Sequence, residues 1–271
     1  SSSPDFADDD DTDNINHINS NGKKKKNSRN NSWSWITLKS KLTEGFTSLQ
    51  NSPSELYKVY FLKFLDSYSY FSFSIILTLF LSSDDFNYTD IEAGTIYGVW
   101  GMMITVYGFL TGFIVDNLGV SKSLKLGYGL SLIARIGIFF CISKWWLLFH
   151  LYFTLPLGNC MGIPVLMTGI RRYTTTQNRG FAFGIFYVVM NIAALISGPV
   201  VDILTIWYKG GDSTSNDDEN IVDANGNKKW SLTSYRAIIL SGIVANIIAF
   251  LVTFTVREIK VVDDDPYQQQ Q

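Results

Sequence analysis

Long apolar stretches alternate with short polar ones along most of the chain. Apolar segments follow one another at residues 58–81, 93–115, 124–142, 145–170, 181–206 and 237–256. Each has about 20 residues, the length that a helix needs to cross the ~30 Å hydrocarbon core of a bilayer. A helix in a soluble core would need a polar face, which a segment such as 237–256 lacks. The pattern predicts an all-α membrane protein with six transmembrane helices within residues 56–260.

The remaining residues are rich in Asn, Ser, Asp and Lys. We expect residues 1–55 to form a disordered polar tail, residues 207–235 an acidic loop between the last two segments, and residues 261–271 a second polar tail. Lys and Arg are concentrated in the first tail, in the second and fourth loops and after the sixth segment. Because an excess of Lys and Arg marks the cytoplasmic side, we expect both termini in the cytoplasm and the acidic loop outside it.

Composition narrows the possible functions. The 271 residues are 46% hydrophobic and have a net charge of −2, which gives no reason to expect nucleic-acid binding. The two cysteines, Cys141 and Cys160, both lie in apolar stretches and have neither redox nor zinc spacing. With two His in addition, there is no cluster for a metal or a nucleophile, so we expect no enzyme, no metal and no cofactor. The chain begins without Met or a signal peptide, and we expect a fragment of a longer protein.

A tight polar turn separates the second and third apolar segments. It lies in the sequence TGFIVDNLGVSK, residues 111–122. A short turn between two helices needs a residue that tolerates positive φ, which accounts for Gly119. It also needs a side chain that accepts hydrogen bonds from free helix N–H groups, which Asp116 or Ser121 can supply. A helical hairpin alone would therefore account for these residues.

The same turn resembles the signature of the major facilitator superfamily between its second and third helices, roughly G-x-L-a-D-r-x-G-r-r. Gly112, Asp116 and Gly119 fall on its least variable positions. The usual basic positions are instead occupied by Asn117, Val120 and Ser121. In the family these positions contribute to a cytoplasmic gating network, so the resemblance implies a gating role for Gly112, Asp116 and Gly119.

A second resemblance lies in the fifth segment, which reads ALISGP at residues 194–199. Antiporters of the superfamily have g-x-x-x-G-P-x-x-G-G there, and Gly198 and Pro199 match it. Asp202 and Ile203 replace the final glycines. The alternative is a helix kink at Pro199 without a specific function.

These resemblances imply the amino-terminal six-helix half of a secondary active transporter, built of two inverted three-helix repeats and moving a small solute by alternating access. The implied partners are the solute, a coupling ion such as H⁺, the carboxyl-terminal half and the lipid bilayer. The stretch YSYFSFS, residues 68–74, resembles the peptide-transporter branch, but the paired acid and Arg motif of that branch is absent, so peptide transport ranks low. The alternative function is a non-transporting receptor or scaffold that retains the fold.

Polar residues follow one face of the first apolar segment. Lys63, Asp66, Ser67, Tyr70, Ser74 and Thr78 recur at helical spacing. A polar face on a spanning helix faces protein or water and avoids acyl chains, so we interpret this stripe as the lining of a cavity. The alternative is interhelical hydrogen bonding, with Lys63 reaching to the inner surface.

Arg135 lies within the third apolar segment, and an ionisable residue at that depth indicates a functional site. Asp66 and Arg135 lie at similar depths, so we expect them to face each other or a shared cavity; a structural ion pair is the alternative. His150 is a lesser candidate. The candidate substrate or coupling residues are Asp66, Tyr70, Ser74, Arg135, Asn159 and Asn191.

Overall fold

The computed structural model describes residues 35–50, 52–212 and 232–257, in which the regular structure is helical and includes no strand. The chain divides into two units, Ser1–Ser40 and Lys41–Gln271, and the helix bundle belongs to the second. The helices are α1 Trp35–Gln50, α2 Ser54–Ser82, α3 Asp90–Leu118, α4 Val120–Phe139, α5 Lys144–Phe149, α6 Leu155–Tyr173, α7 Arg179–Asp212 and α8 Ser234–Thr253. A π-helical segment, His150–Thr154, joins α5 to α6, so Lys144–Tyr173 is one continuous helix.

Five of the helices in the described residues are long and apolar enough to cross a membrane. These are Ser54–Ser82, Asp90–Val115, Lys144–Tyr173, Arg179–Tyr208 and Ser234–Thr253. The third predicted span corresponds to α4, which has 20 residues but carries three cations, Lys122, Lys125 and Arg135. The all-α membrane class is thus confirmed. That α4 is also a span, which would bring the total to six, stays a prediction.

Two predicted boundaries need correction. Residues 35–50, expected within a disordered tail, form α1, because Leu42, Phe46 and Leu49 recur at helical spacing and Leu49 is buried against the bundle. The fifth span was expected to end at residue 206, but α7 continues to Asp212, into the predicted acidic loop. The rest of that loop, residues 213–231, lies outside the described residues, as do residues 1–34 and the tail 261–271.

The turn between α3 and α4 consists of Gly119 alone. Its φ of 79° and ψ of 171° lie in a region that only glycine adopts without strain. The Gly119 N–H donates to the Val115 carbonyl at 3.1 Å and thereby caps α3. The expected need for positive φ is confirmed at this position.

Two apolar clusters occupy the two ends of the bundle, with polar residues between them. Along α2, one cluster includes residues up to Leu65 and the other begins at Phe73. The polar residues between the clusters come from four helices: Asp66, Ser67 and Ser69 of α2, Ser131 of α4, Asn159 of α6 and Asn246 of α8. We call these six residues the polar layer. It lies midway along the spanning helices, where hydrocarbon would otherwise surround it.

Glycines bring α4 and the Lys144–Tyr173 helix into close contact. A Cβ on Gly127 would lie 2.9 Å from the Met161 Cβ, and one on Gly158 would lie 2.8 Å from the Ser131 Cα. A Cβ on Gly137 would overlap the His150 imidazole. We call this line of contact the α4 seam. Because any larger side chain would push the two helices apart, the three glycines are what permits the seam.

The glycines of α3 and α7 have the opposite surroundings. Among the described residues, nothing lies within 4 Å of a Cβ built on Gly94, Gly98, Gly101, Gly108 and Gly112 of α3, or on Gly180, Gly184 and Gly198 of α7. These two helices also bury the smallest share of their apolar length. We call the surface formed by these glycines the open face.

Candidate functional site

A cavity of about 190 Å³ opens beside the polar layer. Its lining residues come from α2, α3, α6 and α7: Lys63, Asp66, Ser67, Tyr70, Phe71, Ile104, Asn159, Ile163 and Met190. Three of the candidate residues predicted from the sequence, Asp66, Tyr70 and Asn159, therefore lie around one cavity. Its wall is mostly apolar, so the few polar groups would determine which solute fits.

The Asp66 carboxylate has a cationic neighbour on its own helix. Lys63 Nζ lies 4.0 Å from Asp66 Oδ2, one turn away along α2. The Lys63 side chain is only 3% exposed, and its ammonium lies 5.1 Å from the centre of the Phe186 ring. Lys63 thus stays inside the bundle and does not reach to the inner surface. The long Nζ–Oδ2 distance leaves both charges with room for another partner.

Arg135 makes no direct ion pair with Asp66 in the described structure. Its Nη1 donates to the Ser69 carbonyl at 3.0 Å, and its guanidinium lies 5.9 Å from the Phe73 ring. The two charges still interact electrostatically. Arg135 is buried, and it is not among the residues that line the cavity.

Two polar atoms at the cavity have no hydrogen-bond partner: Ser67 Oγ and Asn159 Nδ2. The Asn159 Oδ1 accepts from Ser131 Oγ at 3.3 Å, and Asn246 Nδ2 donates to the same Ser131 Oγ at 3.1 Å. This Asn246–Ser131–Asn159 chain fixes the orientation of the Asn159 amide, and its N–H₂ group is buried without a hydrogen bond. Buried polar groups normally have partners, so these two atoms indicate a place for a polar ligand or water.

The other candidate residues are only partly gathered at this site. Tyr70 lines the cavity and stacks on Trp100 with ring centroids 5.5 Å apart. The Ser74 hydroxyl lies one turn further along α2, 2.7 Å from the Tyr97 hydroxyl, and is outside the cavity lining. Asn191 is on an exposed part of α7 and donates to the Tyr187 carbonyl of its own helix. The structure therefore does not bring Ser74 or Asn191 to the cavity.

The motif residues lie away from the cavity. Gly112 belongs to the open face of α3, and the side chain of Asp116 lies outside the described part of the structure. Gly198 and Pro199 lie within α7, which continues past Pro199 without a break. The helix accommodates proline there because the local backbone can adjust, as is common in spanning helices.

Sequence reasoning missed a third buried cation, Arg236 at the start of α8. Its Nε donates to Asp85 Oδ2 at 3.1 Å, its Nη2 donates to the Cys141 carbonyl at 2.8 Å, and its Nη1 bonds the Phe139 carbonyl. Burial also raises the pKa of the Cys141 thiol, which keeps its proton and donates to Ser143. Arg236 directly precedes the sixth apolar segment, residues 237–256, and nothing in the sequence distinguishes it from an ordinary flanking cation. Its burial arises only when α8 meets the end of α4.

His150, the lesser candidate, is buried in the π-helical segment between the rings of Trp146 and Phe149. Neither imidazole nitrogen has a hydrogen-bond partner. It belongs to the α4 seam and lies outside the cavity lining. No group of three or more His, Cys, Asp or Glu residues suited to a metal occurs within residues 35–50, 52–212 and 232–257.

The apolar spanning helices and the buried polar layer define an integral, multi-pass membrane protein. The family model described as the Major Facilitator Superfamily matches residues 59–270, and the chain belongs to this family. No curated protein sequence matches the chain. The predicted membership is therefore confirmed by the family match.

Solved transporter structures share the fold. A mutant of the peptide transporter POT in complex with alafosfalin has a TM-score of 0.61 at 17% identity, over 77% of this chain and 39% of that one. A bacterial homolog of the human lysosomal transporter Spinster, inward-facing and unoccupied, has a TM-score of 0.60 at 13% identity, over 79% of this chain and 49% of that one. This chain thus spans about two fifths to one half of the length of these structures.

Proposed function

We propose that this chain is the amino-terminal half of a secondary active transporter that moves a small solute across a membrane by alternating access. The observation that carries the proposal is the cavity in the middle of the bundle, where Asp66, Ser67 and Asn159 offer polar groups between apolar walls. Solute sites of this class lie near the membrane midplane at the boundary between repeats. The family match and the fold of the transporter structures support the same function.

The open face supports the proposal that a second half of the transporter packs on this chain. Helices α3 and α7 have glycines whose surroundings are empty within the described chain, and they also contribute Ile104 and Met190 to the cavity. Small residues allow helices to approach closely in lipid, where packing replaces the hydrophobic driving force. In this proposal the carboxyl-terminal half packs on the open face and closes the cavity.

We propose that α4 also spans the membrane, which brings the number of spans to six. The half then contains two inverted repeats, one from α2 to α4 and the other from Lys144 to the end of α8. The main helix contacts fit this relation. Packing of α2 on α8 corresponds to packing of α4 on α6, and packing of α2 on α7 corresponds to packing of α3 on α6. Each of these contacts becomes the other when the two repeats are exchanged.

Asp66 is the proposed coupling residue. A carboxylate that adjoins a cavity, with Lys63 at 4.0 Å and Arg135 nearby, can change its charge as a solute or H⁺ enters. Tyr70 and Asn159 would contact the solute. Arg135 would act on Asp66 through the electric field, since it is outside the cavity lining. Ser74 and Asn191 have no direct role in this arrangement.

The rival function is a receptor or scaffold that retains the fold without transport. Two features favour transport: a buried carboxylate beside a cavity, and two polar atoms without partners at the same place. The carboxylate carries more weight, because a scaffold has no need for an ionisable group beside a cavity.

Proton flux into liposomes tests the proposal. The full-length protein is reconstituted with the pH dye pyranine inside, and amino acids, short peptides and sugars are added outside. We expect at least one class to cause acidification, and Asp66→Asn to abolish it. Asp84→Asn, in the exposed loop between α2 and α3, is the matched control and should transport normally. Equal flux in the two variants would reject Asp66 as the coupling residue.

The proposed topology places both termini and the loop after α6 in the cytoplasm, with the acidic loop outside. Cysteines are introduced at Ser215 in that loop and at Gln177 after α6, where the side chain is exposed. A membrane-impermeant maleimide added to intact cells should label the first and miss the second. Labelling at Gln177 alone would invert the proposed orientation.

A further inference from the structure

Helix α1 presents apolar side chains to its surroundings. Leu42 is 44% exposed and Phe46 is 60% exposed, and a spacing of four residues puts both on one face. The sequence continues this spacing backwards with Leu38 and Trp35. Two large exposed apolar residues beside each other on a short helix indicate a surface that something else covers.

The C-terminal half of α1 lies at the level where two spanning helices begin. The Phe46 ring meets the Phe181 ring edge to face at 5.2 Å, and Tyr57 donates its hydroxyl proton to the Leu49 carbonyl at 3.2 Å. Phe181 is the third residue of α7 and Tyr57 is the fourth residue of α2. Such first-turn residues lie near the boundary between hydrocarbon and water, so this part of α1 lies there too.

This contact covers only part of α1. A cavity of about 450 Å³ separates Thr43, Phe46 and Thr47 from Tyr60 of α2 and Ile185 of α7. The helix is thus held mainly at Gly45, which meets Phe181, and at the buried Leu49. Leu42 and the larger part of the Phe46 side chain remain uncovered by the described chain.

The sequence around α1 is strongly basic. Between Asn14 and Thr43 it contains Lys23 to Lys26, Arg29, Lys39 and Lys41, and no Asp or Glu. Each Lys or Arg near a membrane strengthens attraction to anionic lipids. An amphipathic helix with basic residues and apolar side chains on one face is the kind that lies in the plane of the membrane surface. Charge and apolar exposure thus favour the same occupant.

We propose that α1 docks on an anionic lipid surface, with Leu42 and Phe46 inserted at the boundary between head groups and acyl chains. The basic run supplies the electrostatic attraction, and the contacts with Phe181 and Tyr57 transmit the docked position to α7 and α2. The transporter is therefore sensitive to the charge of its own membrane leaflet. This interaction requires only a membrane-embedded bundle and does not depend on the solute.

Spin labelling of the full chain in vesicles tests this interaction. One nitroxide is placed at Leu42→Cys, and a matched control is placed at Glu44→Cys, on the opposite side of the same helix. The vesicles contain phosphatidylcholine alone or mixed with phosphatidylserine. In the mixed vesicles the Leu42 label should become severalfold less accessible to a water-soluble nickel chelate. The Glu44 label should remain accessible in both.

Charge variants separate electrostatic docking from simple apolar insertion. Changing Lys23, Lys24, Lys25 and Lys26 each to Gln should remove the effect of phosphatidylserine on the Leu42 label. Changing Asp8, Asp9, Asp10 and Asp11 each to Asn alters as many charges in the same tail and should preserve it. Equal shielding of Leu42 in both vesicle types would overturn the proposal.

Discussion

The α4 seam and the open face use the same residue, glycine, for opposite purposes. At the seam, Gly127, Gly137 and Gly158 are filled by the neighbouring helix, and Arg236 fixes the end of α4 with hydrogen bonds. On the open face the glycines of α3 and α7 meet nothing in the described chain. The cavity lies on the open side, lined by α2, α3, α6 and α7. The bundle thus has a closed side, where glycines are in contact with a neighbouring helix, and an open side, where glycines have no neighbour in the described chain.

The ion pairs of Arg236 and Lys63 follow the same division. Arg236 on the closed side has an ion pair at 3.1 Å and bonds to two carbonyls. On the open side Lys63 and Asp66 lie 4.0 Å apart, and Ser67 has no partner. A fully bonded charge stabilises one structure, whereas a loosely paired one can exchange partners. We therefore expect substitutions on the closed side to lower mainly the stability of the bundle, and substitutions on the open side to affect mainly its function.

Loss of Arg236 has the largest expected effect. Arg236→Ala leaves the Asp85 carboxylate without this cation and two carbonyls without these donors, and breaking a buried pair in this way costs ~3–5 kcal/mol. We expect a strong fall in the thermal unfolding midpoint, measured by intrinsic fluorescence in detergent. Arg236→Lys, which retains the charge but cannot form three directed bonds, should recover only part of it. Wild-type stability for Arg236→Ala would refute the closed side as the stable one.

Alanine at glycine sharpens the comparison directly. Gly158→Ala forces its Cβ against the Ser131 backbone, and overpacking of this kind typically costs ~1–3 kcal/mol. Gly184→Ala on α7 meets open space and should change stability by less than ~0.5 kcal/mol, as surface substitutions do. Thermal unfolding of the 271-residue chain measures both. Equal losses would show that the open face is already filled.

Much of this division could not be read from the sequence. Apolar runs of about 20 residues predicted the spanning segments, because hydrocarbon imposes that length. The turn at Gly119 was predictable because its positive φ is a local requirement. The seam was not, since Gly158 and Gly184 look alike until another helix lies beside one of them. The proximity of Lys63 to Asp66 was not predicted for the same reason: depth along a helix is readable, but Arg135 donates to the Ser69 carbonyl only in the folded bundle.

The loose ion pair has a smaller expected effect on stability. Asp66→Asn leaves Lys63 without its anion, and because the pair is long and adjoins a cavity, we expect a loss of ~1–2 kcal/mol, below that of a tight buried pair. Lys63→Met combined with Asp66→Asn should lose less than the sum of the two single changes. Combining Asp66→Asn with Arg135→Gln should come closer to additive. Stronger coupling to Arg135 than to Lys63 would reverse the assignment of the partner.

Ser67→Ala has the smallest expected effect on stability. Its hydroxyl has no partner, so its removal loses no hydrogen bond and should change the unfolding free energy by less than ~0.5 kcal/mol. Ser131→Ala is the matched control, because it breaks two bonds of the Asn159 chain and should cost ~1 kcal/mol or more. In a transport assay the order of the two variants should reverse, because Ser67→Ala should clearly raise KM. A stability loss at Ser67 equal to that at Ser131 would contradict an empty polar position.

The α4 seam also sets the stiffness of the helix bundle. Where Gly158 lets backbone meet backbone, no flexible side chain remains between α4 and α6 to absorb a displacement. A displacement of one of these helices should therefore displace the other by a similar amount, so that the two move as one body. Helices α3 and α7 can bend more easily, because nothing in the described chain lies against their glycines. Any bending during transport should begin in those two helices, while the seam serves as the fixed support against which they move.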